Sequence, residues 1–163
     1  MAELTHFDEG GAARMVDTSL KPETLREAKA QARVRMAAAT LALIRDVKLA
    51  KGDVLGVARL AGIMAAKRTG ELIPLCHPLP LTGVSVDFSY EGDCILVIDT
   101  SVRTFARTGV EMEALCAAAV AALTVYDMCK AVDRVMTVEH LRLVSKTGGR
   151  SDWQAPSNAS EPS

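Results

Sequence analysis

A strict alternation of apolar and polar residues marks the first long element of the chain. Over residues 27–36, small or apolar residues ending in Val34 and Met36 alternate with polar residues such as Glu27 and Lys29. A period of two places one set of side chains on each face of an extended strand. The pattern therefore predicts a half-buried β-strand whose small buried residues let a helix pack closely.

Helical spacing follows this strand. Apolar residues at intervals of three and four predict a helix over 37–47. Asp53 is a residue type that caps helix N-termini, and it predicts a second helix from there to about residue 66. Three prolines then predict an irregular, stiffened loop over 71–81.

The second half of the chain returns to strands. Alternation over 83–90 and 94–102, with a turn between them, predicts a β-hairpin. Thr108 and Glu111 have the spacing of a capping box, which would open a long alanine-rich helix ending near residue 131. A last strand is predicted over 136–144.

The order strand, helices, hairpin, helix, strand predicts an α+β fold of the ferredoxin-like type, βαββαβ. Its helices would pack on one face of a mostly antiparallel sheet. The other sheet face has no cover within the chain, so we expect an oligomer. We expect a flexible N-terminus over 1–13, a single catalytic domain over 14–152 and a disordered Pro/Ser-rich tail over 153–163.

Composition is that of a soluble globular protein. The 163 residues are 49% hydrophobic and 24% charged, and the net charge is only -1, which argues against a broad nucleic-acid-binding surface. The four cysteines show no CxxC spacing and are typical of reduced thiols. No apolar run is long enough to cross a membrane and no signal peptide opens the chain, so we expect a cytoplasmic protein.

Cys76 and His77 lie side by side between two prolines, Pro74 and Pro78. Such a restrained loop can present His77 to a ligand. The alternative is a tight loop with a packed cysteine and a capping histidine. A metal site is a third interpretation, but the other histidines lack ligand-like spacing.

Asp127 and Lys130 are three residues apart on the predicted long helix, so their side chains are neighbours. The surrounding residues are apolar nearly all round, as in a buried helix, where a charged pair is costly without partners. A partly buried lysine has a depressed pKa and can transfer protons near neutral pH. The alternative is a weak surface ion pair.

Several cations lie beside glycines or helix ends: Lys51, Lys67, Arg68, Lys146 and Arg150. Together they indicate a phosphate-binding site, although each alone is more simply a solvated side chain. Glu111 and Glu113 lie in a helical first turn, where the helix dipole already favours acidic residues.

Glu111 and Asp127 are separated by sixteen residues on one predicted helix. At 1.5 Å per residue they lie about 24 Å apart, too far for one small substrate to touch both. If both serve one site, two subunits must share that site.

Seven segments together resemble the cyclic pyranopterin monophosphate synthases, the MoaC family of molybdenum cofactor biosynthesis. The resemblance covers roughly residues 5–152. Its most specific motifs are LIPLCHPL at 72–79 and TGVEMEAL at 108–115. The segments are MVD at 15–17, LIPLCHPL at 72–79, TGVEMEAL at 108–115, LTVYDMCKA at 123–131, KGDV at 51–54, AAKRT at 65–69 and KTGG at 146–149.

The resemblance implies a reaction and an assembly. The substrate would be 3′,8-cyclo-7,8-dihydroguanosine 5′-triphosphate, supplied by a radical SAM GTP cyclase. The products would be cyclic pyranopterin monophosphate and pyrophosphate, which makes the enzyme a phosphorus-oxygen lyase. The family implies a homohexamer, a trimer of dimers, with sites at subunit interfaces.

The resemblance also implies residue roles. The residues at the family's catalytic positions are Asp127, Lys130 and Lys51. Those at its substrate-binding or pocket-lining positions are Leu75, Cys76, His77, Met112, Glu113, Glu111, Lys67 and Lys146, together with Arg26 and Asp17 from a neighbouring subunit. Arg107 stands where many members have lysine, which keeps the charge but would not suit proton transfer.

We expect Asp127 and Lys130, assisted by Lys51, to move protons while other cations neutralise the triphosphate. Lys67, Lys146 and Arg26 are expected on the phosphates, and His77 and Glu113 on the base and ribose. No cofactor is expected, apart from Mg²⁺ that can accompany a triphosphate. Two alternatives stay open: a non-catalytic nucleotide- or pterin-binding module, and a metal-dependent hydrolase using Cys76 and His77.

Overall fold

The computed structural model of the protein describes residues 6–8, 10–46 and 52–156. Its strands are β1 (Thr24–Arg35), β2 (Leu81–Glu91), β3 (Ile95–Ala106), β4 (Thr137–Thr147) and β5 (Trp153–Gln154). Its helices are α1 (Ala38–Arg45), α2 (Val54–Lys67), α3 (Thr69–Leu72) and α4 (Glu111–Cys129).

The strands form one antiparallel sheet in the order β2-β3-β1-β4-β5. The first four strands and the helices have the predicted ferredoxin-like connectivity, and α2 and α4 pack side by side on one face of the sheet. The alternating segment is β1, and its apolar set faces the helices. Asp53 caps α2 as predicted, because its carboxylate accepts from the N–H of Gly56 at 2.8 Å.

Small residues set the distance between the helices and the sheet. Seven alanines of β1 and α4 are buried between the helices and the sheet: Ala28, Ala30, Ala32, Ala114, Ala117, Ala118 and Ala121. The hydroxyl of Thr100 on β3 lies 2.9 Å from the carbonyl oxygen of Ala114, which ties α4 to the sheet. On the other side of α4, a Cβ placed on Gly62 of α2 would lie only 3.0 Å from the Ala117 carbonyl oxygen.

Helix α4 is long and apolar enough to cross a bilayer by length and composition alone. Its alanines are instead packed against β1, β3 and α2, which is the position of a core helix.

The predicted capping box at the start of α4 is wrong. Val110 is the N-cap residue, and no side chain caps the helix there. The carboxylate of Glu111 lies beside Gly109 and 3.5 Å from the ammonium of Lys146 on β4, so it forms an ion pair across the fold. Thr108 and Gly109 remain in the loop that precedes the helix.

Strand β4 is irregular. Its register against β1 shifts twice, between Lys29 and Ala30 and between Gln31 and Arg33. His140 lies near the second shift with a φ of 54°, a left-handed conformation that is uncommon for a side chain other than glycine. Such bulges bend a strand and re-aim the side chains that follow.

The ordered chain continues past the predicted boundary at residue 152. Trp153 and Gln154 pair with β4, so the prediction of a disordered tail is wrong for these two residues. Gly148 makes the turn between the strands with a φ of 87°, where a Cβ would collide with the Leu25 carbonyl oxygen. Within the segment predicted to be flexible, Phe7 and Ala13 form a single β-bridge.

Asp133 caps a helix that is distant in sequence. Ala37, the N-cap residue of α1, has no capping side chain of its own. Its N–H donates to Asp133 at 2.9 Å, and the Thr40 hydroxyl donates to the same oxygen at 3.2 Å. Asp133 is 6% exposed, and hydrogen bonds from Ala37 and then from Val135 and Thr40 hold its pKa below the ordinary 3.8.

Replacing Asp133 with alanine should therefore destabilise the protein by about 1–2 kcal/mol at neutral pH, as expected for a lost cap. Because the folded-state pKa is lowered, this contribution is present above the unfolded-state value of 3.8 and disappears as the pH falls through the folded-state pKa. Urea unfolding at neutral pH and at low pH measures both effects. Asp93→Ala, at a carboxylate that is 84% exposed, is the control, and an equal loss in both variants would contradict the capping role.

Candidate active site

In the described part of the chain, three cavities surround the N-terminal end of α4. The first, about 360 Å³, lies between the loop that carries Cys76 and His77 and the first turn of α4 with Met112 and Glu113. The N-terminal segment closes it with side chains that include Lys21. The structure thus brings together six of the predicted binding residues: Leu75, Cys76, His77, Glu111, Met112 and Glu113.

Glu113 is a buried carboxyl group in this wall. It is only 4% exposed, and it borders both the first cavity and a second one. Burial raises its pKa from 4.5 to about 7, and the nearby Glu111 carboxylate adds to the effect. At neutral pH the group can therefore either donate or accept a hydrogen bond.

The second cavity, about 330 Å³, lies on the other side of Glu113. The end of α2 and the start of α3 line it with Lys67, Arg68 and Glu71, opposite Pro78 of the loop. Lys67 therefore reaches the site through this cavity and does not line the cavity that contains Lys146.

The third cavity, about 240 Å³, is strongly cationic. Among the described residues, Glu111 is its acidic residue and five cations line it: Lys21, Arg26, Arg107, Lys146 and Arg150. The Arg26 guanidinium donates to the carbonyl oxygen of Arg107 at 3.3 Å, while its Nε is buried with no hydrogen-bond partner in the described part of the chain. A buried, unsatisfied guanidinium nitrogen favours an anionic ligand.

The N-terminal segment reaches this region within the same chain. Arg107 donates to the carbonyl oxygen of Ser19 at 2.7 Å. Asp17 accepts hydrogen bonds from the hydroxyl and N–H of Ser19, which lower its pKa, and the nearby His77 lowers it further. Within one chain, Arg26 lines the cationic cavity and Asp17 lies near His77. Their contribution to the site of a neighbouring subunit, which the resemblance implied, stays a prediction.

The thiols here are not activated. Burial raises the pKa of Cys76, and the Glu113 carboxylate raises it further. Burial also raises the pKa of Cys116, although a hydrogen bond with Thr69 opposes this. Among the described residues, no three His, Cys, Asp or Glu side chains cluster closely enough to hold a metal ion.

Asp127 and Lys130 lie at the opposite end of α4. Their side chains are 62% and 54% exposed, and the Lys130 ammonium donates to the Asp127 carboxylate at 2.6 Å. This hydrogen bond and the Asp127 charge raise the pKa of Lys130, so the predicted buried pair with a depressed lysine pKa is wrong for the single chain. The apolar sequence around the pair misled the prediction, because one stripe of α4 faces solvent. Lys51 lies outside the described residues.

The sequence analysis did not predict that Lys21 or the loop residues Thr108 and Gly109 line the site. Lys21 lines both the first and the third cavity, as do Thr108 and Gly109. The family-like motif at 108–115 pointed to the loop, whereas nothing in the sequence around Lys21 distinguished it from a solvated lysine.

The raised pKa of Glu113 gives a stability prediction. Its folded-state pKa exceeds the unfolded value, so the carboxyl group costs stability as the pH rises from 4.5 to about 7. Glu113→Gln should therefore gain about 1–3 kcal/mol relative to wild type between about pH 5 and pH 8. Urea unfolding at the two pH values tests this. The exposed Glu71→Gln serves as control, and a pH-independent difference for Glu113→Gln would contradict the burial effect.

Comparison with known proteins identifies the family. Residues 15–149 match the family model described as the MoaC family. The chain is 65% identical over 152 residues to the cyclic pyranopterin monophosphate synthase of Thermomicrobium roseum, covering 93% of this chain and 92% of that protein. It is 62% identical over 152 residues to the synthase of Heliobacterium modesticaldum, covering 93% and 96%.

A third relative is the cyclic pyranopterin monophosphate synthase 3 of Mycobacterium tuberculosis, 62% identical over 148 residues that cover 91% of this chain and 84% of that protein. The residues matched by the family model include the whole of α4 and most of the residues that line the three cavities. The chain belongs to the MoaC family.

Proposed function

We propose that this protein converts 3′,8-cyclo-7,8-dihydroguanosine 5′-triphosphate to cyclic pyranopterin monophosphate and pyrophosphate in molybdenum cofactor biosynthesis. Near-full-length identity to enzymes named cyclic pyranopterin monophosphate synthase supports the reaction. Within the fold, the proposal rests on the cationic third cavity, which adjoins the first cavity with its mixed polar and apolar lining. A purine-derived triphosphate has a matching division between a polyanion and a heterocycle.

The cationic cavity would hold the triphosphate. Arg26 and Lys146 keep the role expected from the sequence, and Lys21, Arg107 and Arg150 join them. The buried Nε of Arg26 would find its partner in a phosphate oxygen. Cations fixed around the phosphates stabilise the charge that develops as pyrophosphate leaves. Lys67, beyond Glu113, would approach the ligand from the other side.

The first cavity would hold the base and ribose. His77 stands on a loop restrained by prolines on both sides, so its position is fixed before a ligand binds. Glu113, with a pKa of about 7, can donate to a ring carbonyl or accept from a ring N–H at working pH. Leu75 and Met112 supply apolar walls for the heterocycle.

Asp127 and Lys130 would transfer protons, with Lys51 assisting. The raised pKa of Lys130 makes it a cation at neutral pH, so its role is that of an acid or a charge stabiliser. Because the pair lies about 24 Å from Glu111 along α4, a second subunit must bring it to the cavity. We therefore propose a homo-oligomer with interfacial sites, in the form of a homohexamer built as a trimer of dimers.

The physiological setting follows from the chemistry. A radical SAM GTP cyclase would supply the unstable substrate, and the protein would work in the cytoplasm without nucleic-acid or membrane partners. Mg²⁺ would enter only with the triphosphate. The three cavities would also suit a non-catalytic pterin- or nucleotide-binding module, which would bind the substrate without releasing pyrophosphate. The metal-dependent hydrolase would need Cys76 as a thiolate, and its raised pKa disfavours this.

Incubation of the purified protein with the cyclised GTP derivative tests the proposal directly. Mass detection should show the cyclic monophosphate and one pyrophosphate for each substrate consumed. Binding without conversion by a well-folded protein would favour the binding module, and activity abolished by complete metal removal would favour the hydrolase.

Lys130→Ala should lower turnover by at least about a hundredfold, as expected for loss of a proton donor, and leave the fold intact. Pyrophosphate release and circular dichroism measure the two quantities. Lys29→Ala, which removes a half-exposed lysine from the open face of the sheet, is the matched control. Activity of Lys130→Ala within about tenfold of wild type would exclude this role.

Arg107→Lys separates charge from proton transfer. Arg107 lines the cationic cavity and is fixed by Ser19 and by Glu23, whose carboxylate lies 3.7 Å away. If it neutralises phosphate, lysine should retain activity within about fivefold, whereas Arg107→Ala should raise the KM by at least about tenfold. Steady-state kinetics decide, and equal losses in both variants would contradict a purely electrostatic role.

A further inference from the structure

A short segment before β1 forms one wall of the first cavity. We call residues 14–22 the strap; its Val16, Thr18 and Lys21 line that cavity together with His77. The strap lies outside the helices and strands, and each of its residues is exposed or half-buried. Segments with few buried contacts open locally at a low cost in free energy. The position of the strap therefore depends on its polar contacts.

Arg107 supplies the contact that holds the strap. Its guanidinium donates to the carbonyl oxygen of Ser19 at 2.7 Å. Among the described residues, this is the hydrogen bond that joins the strap to the sheet and helices, because the others stay within the N-terminal segment. One of these local bonds runs from the Lys21 N–H to the Thr18 carbonyl oxygen at 3.0 Å and closes a turn around Ser19. The turn is thus a unit that is fixed to the fold at one point.

Arg107 can serve as this fixed point because it is anchored to the sheet. It directly follows β3, whose last residue, Ala106, is buried. Its carbonyl oxygen accepts a hydrogen bond from Arg26 of β1 at 3.3 Å, and its Nε lies 3.7 Å from the Glu23 carboxylate. A planar guanidinium directs separate N–H groups to a carbonyl and a carboxylate at the same time. The sheet therefore sets the position of the strap through this one side chain.

Lys21 is the strap residue that lies where two cavities meet. It lines both the first and the third cavity. It also lies two residues beyond Ser19, a span of at most about 7 Å along the chain. Movement of Ser19 away from Arg107 would therefore carry the Lys21 ammonium away from this junction.

We propose that Lys21 is a catalytic residue at the junction of the first and third cavities, and that Arg107 is its positioning residue. The hydrogen bond from Arg107 to Ser19 keeps the strap in place, and the strap in turn holds the Lys21 ammonium at the reacting phosphate. Arg107 thus acts on the ligand in two ways, through its own charge in the third cavity and through Lys21.

The identity of that phosphate rests on the proposed function. A ligand with its base and ribose in the first cavity and its outer phosphates in the third has its α-phosphate at the junction. The α-phosphate is the one that a cyclic monophosphate retains after pyrophosphate has left. A fixed ammonium beside it would stabilise the negative charge on its oxygens during cyclisation.

Hydrogen exchange of the ligand-free protein tests the positioning role. Arg107→Ala should speed exchange of the strap amides by at least about tenfold, because it removes a charge-assisted hydrogen bond from the strap. Mass spectrometry of peptides that span residues 14–22 measures this. Unchanged exchange in Arg107→Ala would overturn the positioning role.

Arg45→Ala is the matched control for this measurement. Arg45 makes the same pair of contacts at the turn between β2 and β3: it donates to the Gly92 carbonyl oxygen at 2.8 Å and lies 3.6 Å from the Asp93 carboxylate. Its loss should leave exchange in the strap at the wild-type rate. Circular dichroism establishes that both variants are folded.

A double-mutant cycle tests whether Arg107 acts through Lys21. Lys21→Ala alone should lower kcat/KM by at least about tenfold, with most of the loss in kcat, because the ammonium acts on the reacting phosphate. In the Arg107→Ala background the same change should cost less than about threefold, since the strap no longer holds Lys21 in place. Lys67→Ala, beside the second cavity, is the control, and its loss should multiply with that of Arg107→Ala.

The two parts of the proposal fail separately. A wild-type kcat in Lys21→Ala would exclude Lys21 from the reaction, and losses of Lys21→Ala and Arg107→Ala that multiply would overturn the coupling between them. The exchange measurement uses no substrate. A wild-type protein that is inactive on the cyclised GTP derivative would therefore reject the proposed function and leave the exchange result standing.

Discussion

Close packing of small side chains between α4 and its neighbours is the constraint on which the rest of the structure depends. The alanines of β1 meet those of α4, and Gly62 brings α2 against the backbone of α4 at a distance that leaves no room for a side chain. Larger residues would move the helices outward, and cores tolerate such overpacking poorly. The Thr100 hydroxyl fixes the same spacing by hydrogen bonding to α4.

This close approach explains where the three cavities lie. The start of α4 packs close to the sheet. The loop with Cys76 and His77, the end of α2 and strand β4 can therefore all reach it. The positive end of the helix dipole points toward the same region and favours anionic groups there. Glu111 and Glu113 share this end with cations from the N-terminal segment, β1, the loop before α4, the end of α2 and β4. This combination fits a ligand that carries both a polyanion and a hydrogen-bonding ring.

Local patterns predicted most elements, because periodicity and the Asp53 cap depend on residues that are near in sequence. The failures came from distant contacts. Glu111 pairs with Lys146 instead of capping α4, and α1 receives its cap from Asp133, which is 96 residues from Ala37. The exposure of Asp127 and Lys130 depends on which side of α4 faces the sheet, and an alanine-rich helix gives little indication of that side.

The two register shifts in β4 decide which residue the strand delivers to the cationic cavity. Between the Val34–Val138 pair and the Ala28–Lys146 pair, β1 advances by six residues and β4 by eight. A regular strand of the same sequence would set Val144 opposite Ala28 and carry Lys146 two positions beyond it. The charge beside Glu111 is thus placed by two surplus backbone residues, because closing either bulge while keeping its residue in the strand would shift the end of β4 by one position and direct the lysine toward the opposite face of the sheet.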